Sequence, residues 1–428
     1  MIKMTKRVCV IGAGYVGLPL ICLLAKNGYN VFAVDIDKTK VKLINKGVSP
    51  LKDEYVKNLL PKLKSKIKAV TEYKEAVNVS DILIMCVPTP IDNTYRPDLR
   101  AIVSASENIS PYLKKGQLVI IESTVAPGTT EECIKDILEK SGLKAGKDFY
   151  LAHCPERIDP GNKKWTVENI PRVVGGINKK STEKAYRFYK SILNAEVHKM
   201  SSAKSAEAVK IVENTFRDVN IAFVNELAKS FNKIDIDTVE VIKGASTKPF
   251  GFLPHYPGCG VGGHCIAVDP YYLIEKAEGM GFEHRFLKLA REINNSMPEY
   301  TVQMIIEGLN EIGKSIKNTD IAVLGVSYKG GVADTRESPA LKIIEKLRNL
   351  GARLKIYDPY VKGMSNVKNI DAAVISDCLV IATNHPEFRN LDLCLLKSKG
   401  VKVIVDGRNI FDKEKIKKLG IIYKGIGR

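Results

Sequence analysis

The sequence predicts an α/β fold in which two doubly wound domains of parallel strands are joined by a central helical region. Three observations predict it: short apolar strands alternate with helix-like stretches over residues 7–200, one long amphipathic stretch follows, and the alternation returns from about residue 320. A chain of 428 residues is too long for one ordinary core. We therefore expect domains at residues 1–200, 201–300 and 301–428.

The first domain is predicted from apolar runs that are rich in β-branched residues. Helix-like stretches of ten or more residues separate most of them, which is typical of a parallel sheet. The runs are Arg7–Ile11, Asn30–Val34, Ile82–Val87, Leu118–Glu122, Phe149–His153 and Arg172–Gly175.

The central domain is predicted from the stretch between Ser202 and Phe231. Apolar residues recur there every three or four positions, which indicates one helix of about 45 Å at 1.5 Å per residue. Such a stripe provides either a spine within the chain or the face of a homodimer or higher homo-oligomer. The stripe consists of Val209, Val212, Phe216, Val219, Phe223, Leu227 and Phe231.

The third domain is predicted from a second series of short apolar runs, again separated by helix-like stretches. This pattern predicts a second doubly wound sheet. Its strands are expected at Ile321–Val326, Arg353–Tyr357, Cys378–Ala382 and Lys402–Asp406.

Composition and charge exclude several classes of protein. No apolar run is long enough to span a bilayer, and residues 1–7 lack the longer apolar region of a signal peptide, so we expect a cytoplasmic protein with no membrane partner. The nine cysteines then stay reduced, and none has the spacing of a metal site. The net charge of +18 comes from lysines scattered along segments predicted to be helical, such as Lys62–Lys68, without interleaved aromatic residues, so no nucleic-acid partner is expected.

A glycine-rich turn follows the first predicted strand and opens a helix. Gly12 permits the turn, Gly14 lets the backbone approach a pyrophosphate, and Gly17 lets the helix pack closely on the strand. The intervening Tyr15 and Val16 lie at the helix N-terminus, whose dipole favours an anion. The turn therefore predicts a dinucleotide site of the Rossmann type.

Asp35 ends the next strand, where a carboxylate accepts a hydrogen bond from the ribose 2′-hydroxyl. The same charge repels a 2′-phosphate, so NAD is favoured over NADP, although the cation of Lys40 weakens that preference. Thr89 and Thr124 each follow a strand, at the sheet edge where ligands bind, and are predicted to contact the cofactor or the reacting group. As isolated residues both would more often be ordinary turn hydroxyls.

The loop Gly258–Leu273 combines four glycines within six residues and then Cys265. Glycines let a backbone lie against a ligand, and a helix N-terminus lowers the pKa of a thiol. The pair Asp269-Pro270 has the residue types of a helix N-cap followed by proline. Cys265 is therefore the candidate nucleophile, whereas Cys9, Cys22 and Cys86 lie in apolar surroundings that are typical of packing residues.

Together the motifs resemble the UDP-glucose/GDP-mannose dehydrogenase family over essentially the whole chain. The motifs are GxGYVG from Gly12, CVPTP from Cys86, the STV after a strand at Ser123, Pro155-Glu156-Arg157, the lysine and asparagine Lys210 and Asn214, the GGxC that ends at Cys265, and Asp334–Ser338. The sequence around Cys265 resembles that of the N-acetylhexosamine branch of the family. It implies oxidation of the C6 alcohol of UDP-N-acetyl-D-mannosamine, with UDP-N-acetyl-D-glucosamine and UDP-glucose as alternatives.

The resemblance implies the roles of the catalytic residues. Cys265 adds to the aldehyde and carries a thiohemiacetal and then a thioester. Lys210 and Asn214 stabilise the developing oxyanions, Glu156 assists the hydrolytic water, and Thr124 holds that water. Asp269 assists water or Lys210, although helix capping explains it equally well.

The resemblance also implies contacts to the two ligands. Arg336 would contact NAD. The residues expected to bind the UDP-sugar are Arg157, Ile158, Lys210, Asn214, Arg217, Tyr256, Gly262, Tyr328, Lys329 and Arg408.

Two other classes remain open from the sequence. A two-electron dehydrogenase related to 6-phosphogluconate dehydrogenase has a similar layout but no use for a nucleophilic cysteine. A sensor of NAD and nucleotide sugar would bind both ligands without forming NADH.

Overall fold

The computed structural model describes residues 7–92, 94–158, 162 and 164–428, so that most of the N-terminal stretch considered for a signal peptide lies outside the described residues. The chain divides into two compact units. Unit 1 comprises Met1–Glu213 and Tyr271–Gly281, and unit 2 comprises Asn214–Pro270 and Phe282–Arg428.

The sheet of unit 1 has eight strands in the order β3-β2-β1-β4-β5-β6-β7-β8. Neighbouring strands run parallel, except that β6 and β7 are antiparallel. The strands are β1 (Arg7–Ile11), β2 (Asn30–Val34), β3 (Ile67–Val70), β4 (Ile82–Met85), β5 (Leu118–Ile121), β6 (Tyr150–His153), β7 (Arg172–Gly176) and β8 (Val197–Lys199).

The sheet of unit 2 has five strands in the order β10-β9-β11-β12-β13, all parallel. They are β9 (Asp320–Leu324), β10 (Arg353–Tyr357), β11 (Cys378–Ile381), β12 (Val403–Asp406) and β13 (Ile422–Gly425).

Helices separate most of these strands along the chain. They are α1 (Gly17–Lys26), α2 (Lys38–Asn45), α3 (Glu54–Leu63), α4 (Tyr73–Val79), α5 (Arg100–Ile109), α6 (Lys135–Glu139), α7 (Lys179–Lys190), α8 (Ala203–Asn232), α9 (Thr238–Ala245), α10 (Asp269–Glu278), α11 (Arg285–Glu311), α12 (Pro339–Asn349), α13 (Ile370–Ala373), α14 (Leu393–Ser398) and α15 (Lys413–Lys418).

Both sheets are covered on two faces, as alternation along their strands requires. In β1, Val8 and Val10 pack into one apolar cluster while Cys9 and Ile11 pack into another, because successive side chains point to opposite faces. In β9, Ile321 and Val323 pack into one cluster of unit 2 and Ala322 and Leu324 into the other. Parallel strands buried on both faces read as continuous apolar runs, and the predicted α/β fold class is confirmed.

The sequence-based assignment missed β3, β8 and β13, and the helix predicted across Lys62–Lys68 is wrong. Helix α3 ends at Leu63, and Lys68 lies in β3, where Val31 of β2 pairs with Ile67. Lysine favours helix and is depleted in strands, so the pairing with β2 overrides the intrinsic preference of Lys68. Lys68 contributes an ion pair with Glu75 at 2.7 Å.

Helix α8 occupies the predicted long helix, but its apolar stripe does not form the core. Val212, Phe216 and Phe223 are 57, 49 and 53% exposed. The buried face of α8 mixes apolar residues such as Ile211 with polar ones such as Asp218, which accepts a hydrogen bond at 2.6 Å from the buried Arg291. The stripe therefore lies partly on the surface of α8, and its other four residues are half-buried.

Within the described ranges, no helix combines the length and the apolar content that crossing a membrane requires.

Candidate active site

The glycine turn after β1 has the geometry of a pyrophosphate cradle. Gly12 has φ +94°, and a Cβ there would lie 2.5 Å from the carbonyl oxygen of Cys86. A Cβ on Gly17, at the start of α1, would lie 1.8 Å from the Gly12 oxygen, so only glycine lets helix and turn pack this closely. A Cβ on Gly14 would meet nothing within 4 Å, which leaves open space over the turn. Val16 provides no side-chain cap, so the first amides of α1 can meet an anion.

Asp35 lies at the end of β2, beside the glycine turn. Its carboxylate accepts hydrogen bonds from the amides of Ala13 and Asp37, both at 2.9 Å, and Lys40 Nζ lies 3.5 Å from its Oδ2 atom. These donors hold the carboxylate at the strand end in the position expected for a ribose contact. The turn, the open space and Asp35 together fit NAD, and Tyr15 is 45% exposed on the same turn.

Thr89 and Thr124, which the sequence placed at two separate strand ends, are joined in unit 1. The Thr89 hydroxyl donates to the Thr124 carbonyl at 2.6 Å, and the Tyr272 hydroxyl donates to the Thr89 carbonyl at 2.5 Å. The Thr89 hydroxyl therefore links two strand ends at this edge of the sheet, and its contact with the cofactor stays a prediction.

Glu156 follows β6 and is fixed from three directions. Its Oε1 atom accepts from the amides of Arg157 and Ile158 at 2.6 and 2.7 Å, and its Oε2 atom lies 2.7 Å from an Arg172 guanidinium nitrogen. The Arg157 guanidinium donates to the Pro171 carbonyl at 3.0 Å and lies 2.5 Å from a Glu213 carboxylate oxygen. The Glu156 carboxylate is thus held in one orientation, as a group that positions water requires.

Arg172 is the centre of a buried charge cluster that the sequence analysis did not identify. Its side chain is fully buried, 3.8 Å from Glu122, and Glu122 accepts a hydrogen bond from Tyr189 at 2.5 Å. Burial raises the pKa of Glu122 to about 7, against the attraction of Arg172, which lowers it. Burial works against the charge of Arg172, but Glu156 and Glu122 raise its pKa above the ordinary value. The sequence signal that could have identified this cluster was a charged residue at the end of an apolar run, as at Glu122, or at the start of one, as at Arg172.

The glycine loop before Cys265 packs on the segment after β9 in unit 2. A Cβ on Gly262 would lie 2.6 Å from the Glu337 oxygen, and one on Gly263 would lie 2.7 Å from the Tyr328 ring. The Gly263 amide donates to the Arg336 carbonyl at 3.0 Å. The glycines therefore bring the loop that carries Cys265, called the cysteine loop below, against Tyr328. Two elements predicted to bind the substrate thus lie together.

Asp269 and Asn214 form a buried pair in unit 2. The Asn214 side-chain amide donates to Asp269 Oδ2 at 2.5 Å, and the Asp269 amide donates to the Cys265 carbonyl at 2.8 Å. Asp269 thus links Asn214 to the backbone of the cysteine loop. Cys265 itself is half-buried.

The remaining predicted residues have varied settings. Arg408 donates to the Ala382 carbonyl at 2.9 Å, and its guanidinium lies 3.0 Å from where a Cβ on Gly258 would be. Arg336 forms a two-point pair with Asp334. Lys329 is half-buried after β9, and Lys210 is half-buried on α8. Arg217 is exposed on α8, and Tyr256 is exposed just before the glycine loop.

Among the described residues no group of three or more histidine, cysteine or acidic side chains could hold a metal ion.

Three domains of one family match the chain in order. The NAD binding domain of the UDP-glucose/GDP-mannose dehydrogenase family matches residues 6–193, its central domain residues 204–296 and its UDP binding domain residues 322–413. The chain belongs to the UDP-glucose/GDP-mannose dehydrogenase family. It is therefore an NAD-dependent UDP-sugar dehydrogenase, with NAD as cofactor, and both the resemblance and the cofactor inferred from the sequence are confirmed.

Relatives within the family are similar over nearly their full length. A UDP-N-acetyl-D-mannosamine dehydrogenase of Pyrococcus horikoshii is 39% identical, over 99% of this chain and 99% of the relative. One from Methanocaldococcus jannaschii is 41% identical, over 97% and 95%. The solved structure of the UDP-D-ManNAc dehydrogenase from Pyrococcus horikoshii superposes with a TM-score of 0.93 at 38% identity, covering 99% of both chains.

Proposed function

We propose that the chain oxidises the C6 alcohol of UDP-N-acetyl-D-mannosamine to the carboxylate of UDP-N-acetyl-D-mannosaminuronate. The relatives from Pyrococcus and Methanocaldococcus support this sugar, since both are named for it. NAD accepts the hydride removed in each of the two oxidations. The chain supplies the group that makes the second oxidation possible, because an aldehyde has no second alcohol hydrogen to give.

Cys265 is that group, and the burial of the other cysteines carries the assignment. Burial raises the pKa of seven thiols, which keeps them protonated and unreactive: Cys9, Cys22, Cys86, Cys133, Cys154, Cys259 and Cys378. Cys394 is exposed on α14, on the surface of unit 2. Cys265 alone combines a half-buried thiol with a glycine loop packed on Tyr328.

Addition of the Cys265 sulfur to the aldehyde carbon gives a thiohemiacetal, and loss of hydride gives a thioester that water hydrolyses. The buried Asn214–Asp269 pair holds an amide in one orientation, which suits the stabilisation of a developing oxyanion. Lys210 serves as the acid or base of the first oxidation. Glu156, fixed by its two amide bonds, is assigned to the hydrolytic water, with Thr124 holding that water.

The UDP-sugar is assigned to the residues around the cysteine loop and after β9. Tyr328 and Lys329 bind the nucleotide, Arg408 is suited to the diphosphate, and Gly262 leaves room beside Tyr328 for the sugar. Arg217 and Tyr256 are exposed and available to the sugar. Arg157 and Ile158 contribute backbone at the Glu156 turn, and Arg336 is assigned to NAD.

The exposed stripe of α8 supports a homodimer. Phe216 and Phe223 are each about half exposed, and aromatic residues exposed in series mark a protein interface. The double substitution Phe216→Ser and Phe223→Ser is expected to give a monomer in light scattering, whereas Ile375→Ser, at an equally exposed site, leaves the assembly unchanged. A monomeric wild type contradicts the assignment.

The domain limits and the location of the protein complete the proposal. Residues 1–200 bind NAD, residues 201–300 provide the dimer face and the cysteine loop, and residues 301–428 bind the UDP-sugar. The nine free cysteines support a reducing compartment, and we assign the protein to the cytoplasm.

The test is the stoichiometry of NADH with four substrates: UDP-N-acetyl-D-mannosamine, UDP-N-acetyl-D-glucosamine, UDP-glucose and GDP-mannose. Two NADH per sugar and the highest kcat/KM with UDP-N-acetyl-D-mannosamine are expected, and Cys265→Ala is expected to lose net turnover. One NADH per sugar, or full activity in that variant, indicates a two-electron dehydrogenase. Binding of both ligands without NADH indicates a sensor, and preference for another sugar overturns the substrate assignment.

A further inference from the structure

His264 precedes the proposed nucleophile, Cys265, in the glycine loop. His264 Nδ1 lies 2.9 Å from the Cys265 sulfur, within hydrogen-bond distance, and both side chains are half-buried in the same loop. A thiol and an imidazole in contact are the two parts of an activated cysteine nucleophile. Within the part of the chain that the structure describes, His255 bonds to the Leu253 carbonyl, and His385 bonds to Ser327 and Asp358.

The charges around this pair favour its ionised form. Burial alone raises the pKa of Asp334, but its hydrogen bonds from Arg336 lower it below the ordinary value, and the positive charge of His264 lowers it further. Burial works against the charge of Arg336, whereas Asp334 and the negative charge of Cys265 raise its pKa. The negative charge of Asp334 therefore favours the imidazolium, and the positive charge of Arg336 favours the thiolate.

We infer that His264 is a further catalytic residue, the base that takes the proton of the Cys265 thiol and holds it while the thiolate attacks the aldehyde. This inference rests on the proposed role of Cys265 as nucleophile. It adds a specific proton acceptor, which the assignments of Lys210, Asn214 and Glu156 do not include.

The proton and electron pairs balance at each step. The S–H bond breaks, its electron pair stays on sulfur, and the proton goes to His264 Nδ1. The sulfur–carbon bond then forms as the carbonyl π pair moves to oxygen, which gives the oxyanion of the thiohemiacetal beside the Asn214 amide. That pair re-forms the carbonyl as the second hydride leaves, which gives the thioester. Water then attacks the thioester and gives its proton to Glu156, the sulfur–carbon bond breaks with its pair going to sulfur, and the imidazolium returns its proton to the thiolate.

Other titratable groups lie against this pair and are part of the design of the test. Tyr328, Asp334 and Arg336 belong to the segment after β9, and Asp269 follows in the cysteine loop, where its carboxylate accepts from Asn214. His264 lies within hydrogen-bond distance of the sulfur, at 2.9 Å. A pH profile that moves with His264 therefore separates this residue from them.

The test is the rate of iodoacetamide alkylation of Cys265 in the full chain, read by peptide mass spectrometry between pH 5 and 9.5. An ordinary thiol of pKa about 8.5 is only about 1% thiolate at pH 6.5, so His264→Asn is expected to slow the reaction of Cys265 at that pH about tenfold or more. At pH 9.5 the two proteins are expected to react alike. Asparagine keeps a polar group near the Nδ1 position but cannot carry the charge.

Two controls accompany the variant. Cys394 is exposed and reports ordinary thiol reactivity in the same digest. His284→Asn removes a histidine whose ring packs edge to face against Phe282, and it is expected to leave the Cys265 profile unchanged. Should His264→Asn fail to fold, wild type decides: Cys265 alkylation that follows the Cys394 profile across all pH values overturns the inference.

The outcomes separate this inference from the proposed function. Full turnover in Cys265→Ala overturns the proposed role of Cys265 as nucleophile, and with it this inference. Loss of turnover in Cys265→Ala together with an unchanged alkylation profile in His264→Asn removes only the role of His264. Slower alkylation of Cys265 at pH 6.5 in His264→Asn, together with a pH–rate curve for kcat that is shifted to higher pH in the same variant, supports both the role of Cys265 and that of His264.

Discussion

The glycine turn allows cofactor binding to be separated from folding by single methyl groups. Gly14→Ala adds a Cβ that meets nothing within 4 Å, and its backbone is outside the left-handed region, so the free energy of unfolding should change little. That Cβ enters the space assigned to the pyrophosphate. We expect a loss of NAD affinity of about 1.5 to 3 kcal/mol, or about ten- to a hundredfold in Kd. Isothermal titration with NAD measures it.

Gly17→Ala adds the same methyl group with the opposite result. Its Cβ would lie 1.8 Å from the Gly12 oxygen, which is backbone and cannot rotate away. We expect a cost of about 3 kcal/mol or more, typical of severe overpacking, read as a lower denaturation midpoint. Gly244→Ala in α9 is the matched control, since its Cβ also meets nothing and alanine favours helix by about 0.5–1 kcal/mol. Unchanged NAD affinity in Gly14→Ala, or a wild-type midpoint in Gly17→Ala, would refute the reasoning.

Three further predictions concern buried charges. Burial raises the pKa of Glu122 to about 7, so its protonation stabilises the fold fully below about pH 4.5, and this contribution is lost as the pH rises to 7. Across that window the free energy of unfolding of the wild type should fall by up to about 3 kcal/mol relative to that of Glu122→Gln, as measured by urea titrations. Parallel curves of unfolding free energy against pH would contradict this. Arg172→Met leaves Glu122 and Glu156 without their cation and should cost about 3–5 kcal/mol, against about 0.5 or less for the exposed Arg187→Met; equal costs would contradict it. Asp35→Asn should narrow the preference for NAD over NADP at least about tenfold in kcat/KM, and an unchanged ratio speaks against the ribose contact.

The fold was predictable where strands are buried on both faces. The run Ile82–Val87 is apolar throughout because β4 lies inside its sheet, and the prediction overshot the strand end by only two residues. Strand β8 could not be predicted, since it has three residues of which two are exposed. Its conformation comes from pairing with β7, and that pairing is tertiary information.

Parts of the candidate site were predictable for a similar reason. The glycine turn and Asp35 lie close to one another in sequence and carry a geometric requirement that the residue types express directly. The Arg172 cluster joins residues from β7 and from the loops after β5 and β6. Each of these charged residues, taken alone, is typical of a solvated strand end, so the sequence did not indicate the cluster. The stripe of α8 was detected correctly, but periodicity does not distinguish a face that packs inside the chain from one that stays exposed.

The discontinuity of unit 1 has a consequence for biosynthesis. Its last segment, Tyr271–Gly281, is made only after the first part of unit 2, yet it supplies Tyr272 to Thr89 and Lys276 to Glu132 at 2.5 Å each. A nascent chain therefore cannot complete its first unit before residue 281 has left the ribosome, by which time the cysteine loop is already synthesised. A fragment ending at residue 213 lacks this closing segment, so the cofactor unit should be expressed with Tyr271–Gly281 grafted on rather than by simple truncation.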